Sequence, residues 1–203
     1  MKHSIMVTDI FPTFTLQLGK LKDKISDDDY FELCQINELL VIERSKSGDF
    51  EIRSLGGGVD GMRSAALTGE IGKWAKDNDE GVCFGALTGF TLPNGAVRAP
   101  GFAWLKREKW ENLSDKQKEK FGAVCPDFIV ELSSTAKPVD VLRAKMKEYI
   151  ENGASLGWLI DPTKKRVYVY RPNSEVEILE NPETVSGEPL LKGFMLSLKE
   201  IWE

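Results

Sequence analysis

Histidine is all but missing from this chain: His3 is the only one in 203 residues. Histidine general bases, Ser-His triads and histidine-ligated zinc all need that side chain. His3 stands in a terminal segment expected to be mobile, so these chemistries are excluded. Cysteine is scarce as well. Cys34, Cys83 and Cys125 are odd in number and widely separated, which fits reduced thiols and neither a disulfide framework nor a zinc site. No apolar run approaches the roughly 20 residues that span a bilayer, and the first residues hold no signal-peptide core, so a cytoplasmic location away from membranes is expected. Positive charge is also in deficit. A net charge of −5 argues against nucleic-acid binding over the whole surface and leaves local basic faces, Lys137, Arg143, Lys145 and Lys147 on one segment and Lys164, Lys165 and Arg166 at a turn.

What is present is an ordinary globular composition, 41% apolar and 29% charged, with length enough for one core. Residues 1–60 read as an N-terminal extension of strand, helix and hairpin packed on a core of residues 61–203. F-T-L-Q-L alternates like a strand, Ser26 opens a helix, and L-L-V-I-E-R with D-F-E-I-R-S form a hairpin across S-K-S-G. The glycines 56, 57, 58 and 61 read as a linker, because no G-K-[ST] follows them. Leu67, Ile71 and Trp74 then repeat at helical spacing, and Asn94-Gly95 predicts a tight hairpin. Ser114 and Gln117 form a capping box. A buried strand at Phe128–Leu132, a helix over 139–152 with Leu142, Met146, Tyr149 and Ile150 inward, Gly153 as its stop and a second buried strand, L-G-W-L-I-D, make a parallel crossover in a mixed sheet. The class is therefore α/β, a mixed β-sheet flanked by helices.

Glu131 is the residue that stands out, a carboxylate inside the apolar strand of C-P-D-F-I-V-E-L-S-S. Burying an ionised carboxylate costs several kcal/mol unless cations or donors meet it, so a metal ion or Lys145 on the following helix is expected beside it. A structural ion pair and a working site both satisfy that requirement. Trp104, Trp110 and Trp158 fit core packing better than base stacking.

The segments G-F-T-L-P-N-G-A-V-R-A-P-G-F-A-W-L, C-P-D-F-I-V-E-L-S-S and R-A-K-M-K-E-Y-I-E-N-G-A-S-L-G-W-L-I-D-P together resemble the Uma-two family of the restriction-endonuclease-like PD-(D/E)XK superfamily. The resemblance implies a restriction-endonuclease-like core, DNA as partner, Mg²⁺ or Mn²⁺ as cofactor, and a homodimer. It makes Glu131 a metal ligand with the Leu132 carbonyl beside it, and puts Lys145, with Tyr149 one turn on, in the place of the superfamily lysine, which in this family has moved onto the helix. Ser133 stands two residues past Glu131, where the superfamily lysine usually sits, and would position water. The motif aspartate is replaced by Gly101 in R-A-P-G, and Gly85 falls where relatives would carry another acid. Glu70, on the first core helix, is the substitute ligand to consider; the plainer reading makes it a surface residue. Two functions follow from the resemblance: a metal-dependent DNA endonuclease with weakened or lost activity, or a degenerate nuclease fold acting as a nucleic-acid- or protein-binding module.

Overall fold

The structure, a computed structural model, describes residues 13–53, 56–134 and 137–203; His3 lies outside them. The chain begins with β1 (Thr13–Leu16), a 3-10 turn, and α1 (Asp27–Ile36). Ser26 caps α1 by accepting from the Asp29 N–H while Asp29 answers the Ser26 N–H, a reciprocal box that satisfies two otherwise orphaned donors. The hairpin β2 (Val41–Arg44) and β3 (Phe50–Arg53) follows.

The long helix α2 (Gly58–Asn78) begins inside the glycine run, so Gly58 and Gly61 are helical and the expected linker is shorter than its composition suggested. Packing explains the override of glycine's poor helix propensity: Leu67, Ile71 and Ala75 are buried along one stripe and tie the helix to the sheet.

Next come β4 (Gly81–Gly85), β5 (Phe90–Thr91), β6 (Val97–Arg98) and β7 (Phe102–Lys106), then α3 (Arg107–Glu111) and α4 (Asp115–Glu119), the latter opened by the Ser114/Gln117 box. The crossover is β8 (Phe128–Leu132), α5 (Val139–Glu151) and β9 (Leu156–Asp161), with β8 and β9 parallel. The chain closes with β10 (Arg166–Tyr170), β11 (Glu177–Glu180), β12 (Thr184–Ser186), β13 (Met195–Ser197) and α6 (Lys199–Trp202).

Six strands form the main sheet in the order β11-β10-β9-β8-β7-β4, and five form a second sheet in the order β1-β3-β2-β6-β5. The Asn94-Gly95 hairpin is present, with Gly95 at φ 85°, but its arms divide. Near the turn β5 and β6 join the N-terminal hairpin through Arg44 and Val97, while farther from it β4 and β7 join the main sheet. The segment Ala99–Gly101 is where the chain passes from one sheet to the other, and that places the N-terminal strands against the end of β8.

The main sheet separates two cores. On its α2 side lie Trp104, Phe128, Val130, Leu132, Trp158 and Phe194; on its α5 side lie Ile129, Leu142, Met146, Tyr149, Leu159 and Tyr168. Trp104 and Trp158 are therefore core residues.

Candidate functional site

Alternation along β8 decides where the site is. Phe128, Val130 and Leu132 face α2, so Glu131 must face α5. It is 1% exposed, and its partner is Lys145, whose ammonium lies 2.9 Å from Glu131 Oε1. The same ammonium donates to Glu43 Oε1, also at 2.9 Å. Glu43 comes from β2 and is itself 4% exposed. Its carboxylate further accepts from the Ala99 N–H at 2.7 Å and lies 3.6 Å from the Arg98 guanidinium. Arg98 in turn binds Glu51 at 2.7 Å and Glu148 at 2.6 Å. The Tyr149 hydroxyl stands 3.5 Å from Glu131 Oε1, at the long end of hydrogen bonding.

Neutralisation inside the cluster governs its titration. Burial pushes the Glu43 carboxyl up, but Lys145, Arg98 and the Ala99 N–H outweigh it and hold the group below the usual carboxylate range. Burial likewise pulls Lys145 down, and Glu131 and Glu43 outweigh that, so the ammonium is held charged above its ordinary range. Burial, with the charges of Glu131 and Glu43, keeps the Tyr149 phenol protonated. The result is a buried carboxylate–ammonium–carboxylate bridge.

Glu43 and Arg98 are the members that sequence reasoning missed. Glu43 reaches Lys145 across 102 residues, and no local spacing encodes that contact; the only hint was a second carboxylate within a short apolar strand.

Glu70 and Ser133, also expected at the site, are engaged elsewhere. Glu70 lies on α2, on the opposite side of the sheet, and accepts from the Ser197 N–H at 3.0 Å; it holds β13 and does not reach Glu131. The Ser133 hydroxyl is buried and donates to Asp161 Oδ1 at 3.4 Å, so it is turned toward a carboxylate that shapes the β9–β10 turn. The Leu132 side chain packs on the α2 side and, with Gly101, lines a cavity there.

Gly101 is tighter than a simple deletion would leave it. A Cβ built on it would sit 2.9 Å from the Val130 carbonyl oxygen and 3.7 Å from the Leu132 nitrogen. That oxygen belongs to the β8 backbone, which has no flexible side-chain end to yield. Gly85, by contrast, would carry a Cβ into open space.

Do these residues suit a resident divalent ion? Mg²⁺ needs carboxylate and water oxygens in near-octahedral order around an open centre. Here the two converging carboxylates are joined by an ammonium, Gly101 supplies no side-chain ligand and a Cβ there would press on the Val130 carbonyl oxygen, and among the described residues no three acidic, cysteine or histidine side chains gather as a cage. The donor set does not fit the ion.

A mixed sheet flanked by helices, with β8 and β9 joined by a parallel crossover through α5, is the fold of the restriction-endonuclease-like class. Within that class the family is defined by sequence: the family model Uma2, described as "Putative restriction endonuclease", matches residues 27–199, and the chain belongs to that family. Among solved structures, a putative nuclease belonging to DUF820 from Anabaena variabilis shares the fold with a TM-score of 0.72 at 20% identity, over 88% of this chain and 97% of that one. No curated protein matches the sequence.

Proposed function

We propose that this chain is a non-cleaving member of the endonuclease family, one that keeps the fold as a nucleic-acid-binding module. The observation that carries the reading is the combination at one place of a Gly101 that offers no carboxylate and has its Cβ position against the Val130 carbonyl, and a Lys145 ammonium shared by Glu43 and Glu131. Phosphodiester hydrolysis asks an enzyme to lower the barrier by something on the order of 20 kcal/mol. An ammonium buried between two carboxylates has its charge already spent on them, and it cannot at the same time steady the developing charge on a phosphate. Membership in a family described by nucleic-acid cleavage supports nucleic acid as the partner.

The test is direct. Supercoiled plasmid incubated with the protein and Mg²⁺ or Mn²⁺ is expected to stay intact, while labelled duplex DNA is bound in EDTA. Metal-dependent nicking that disappears in Glu131→Gln would overturn the reading in favour of an active endonuclease.

A further inference from the structure

On the α2 side of β8, next to Gly101 and Leu132, lies a cavity of about 190 Å³, many times the roughly 10–15 Å³ that a single water needs. Its walls carry two cations, Arg53 and Lys137, against one acid, Asp60. Arg53, the last residue of β3, and Lys137, which a backbone bridge with Ser134 holds just beyond β8, both line it. Arg53 is only weakly engaged: Nη2 reaches the Ala99 carbonyl at 3.5 Å, and Nε is buried with no hydrogen-bond partner among the described residues.

The two side chains are also poorly neutralised. Burial and the Arg53 charge both pull the Lys137 ammonium below its ordinary range, against the pull of Glu131 and Glu43, and those two carboxylates are already bridged by Lys145. Asp60 in the same wall supplies one negative charge against two positive ones; its Oδ2 would lie 3.3 Å from a Cβ on Gly56. The wall is completed by the start of α2, whose cap residue Gly57 offers no side-chain acceptor to the first-turn N–H groups. Around Gly57 and Gly58 a Cβ would meet nothing within 4 Å, which leaves the backbone open to close approach.

We propose that this cavity grips a backbone phosphate of a bound nucleic acid directly, through Arg53 and Lys137, with no metal between. The inference rests on the nucleic-acid-binding reading above and adds to it the site of contact. A guanidinium meets two phosphate oxygens at once, and an ammonium adds a point charge from a second direction.

The decisive measurement is fluorescence anisotropy of a labelled 20-base-pair duplex in EDTA, across a salt series, with wild type, Lys137→Gln, Arg53→Lys and the double variant Arg53→Gln/Lys137→Gln. Each variant is first checked for wild-type circular dichroism and thermal midpoint, and the two single variants remain informative should the double variant unfold. The double variant is expected to bind about tenfold more weakly, with the slope of log K against log salt reduced by about 1. Lys137→Gln should lose part of this and Arg53→Lys less. Lys76→Gln, about 27 Å away at the far end of α2 by its rise per residue, should change nothing.

Wild-type DNA binding with an unchanged constant and slope in the folded variants overturns the pocket while leaving the nucleic-acid reading intact. Failure of wild type to bind DNA overturns both. Inorganic phosphate binding that is lost in the double variant while DNA binding keeps its constant and slope would show an anion site that serves no nucleic acid and would likewise overturn the proposal.

Discussion

The two sides of the main sheet are built from the same strands and solve the burial problem in opposite ways. The α2 side is closed by aromatic contact: Phe128 meets Trp158 edge-on at 4.8 Å, and Phe194 stacks on Trp158. Each ring there is stabilised by area removed from water, and each contact is local and replaceable. On the α5 side an apolar core of similar make-up ends in a knot of charge, with Glu131, Lys145 and Glu43 each dependent on the others. An apolar side loses stability in proportion to what is removed. An ionic one loses more when a single partner goes than when all go together, because the remaining charges stay buried without a counter-ion.

The largest effect should come from the centre of that knot. Lys145→Met is expected to cost about 3–5 kcal/mol in urea unfolding, and joint replacement of Lys145, Glu43 and Glu131 by apolar residues should recover most of it. Equal losses in the single and triple variants would make the two sides energetically alike.

Gly101→Asp comes next. Overpacking against the Val130 carbonyl should cost about 1–3 kcal/mol, and titration calorimetry should show no gain in Mn²⁺ affinity. Tight metal binding by that variant would mean that the strands open more readily than the contact implies.

Acid separates the sides again. The Glu43 carboxyl is held below its ordinary value of 4.5, so its ionisation contributes stability that is fully present above that pH and is lost as the pH falls through the lower folded value. Below pH 4.5 wild type should therefore lose stability faster than Glu43→Gln, and parallel curves from urea unfolding across a pH series would contradict this. Lys145, held above its ordinary 10.5, contributes in the opposite sense: its share is present below that value and declines as the pH rises through the higher folded one.

Glu70→Ala should be the mildest change, at about 0.5–1.5 kcal/mol for one hydrogen bond to the Ser197 N–H. It acts alone on the apolar side, and a loss as large as that of Lys145→Met would reveal coupling the geometry lacks.

Much of this was legible in one dimension. The strand Phe128–Leu132, the helix after it, the Gly153 stop and the parallel return were marked by unbroken apolar runs, 3.6-residue spacing and a left-handed glycine. That Glu131 would need a cationic partner, a metal ion or Lys145, followed from the cost of an isolated buried charge, and the fold supplies Lys145. Gly58 and Gly61 misled, because composition reports a helix start's intrinsic weakness and says nothing of the packing that overcomes it. Glu70 misled because a helix position does not tell which side of the sheet the helix will cover.

The sequence by itself determined that an acid would be buried in the central strand and that a cation would have to join it, since burial and charge are properties of short segments. Only the tertiary structure decided that Glu43 would share that cation, that the Val130 carbonyl would close over Gly101, and that Arg53 would come to stand with Lys137. These outcomes depend on how one hairpin divides its arms between two sheets, and contacts among residues tens of positions apart leave no periodic mark on the chain.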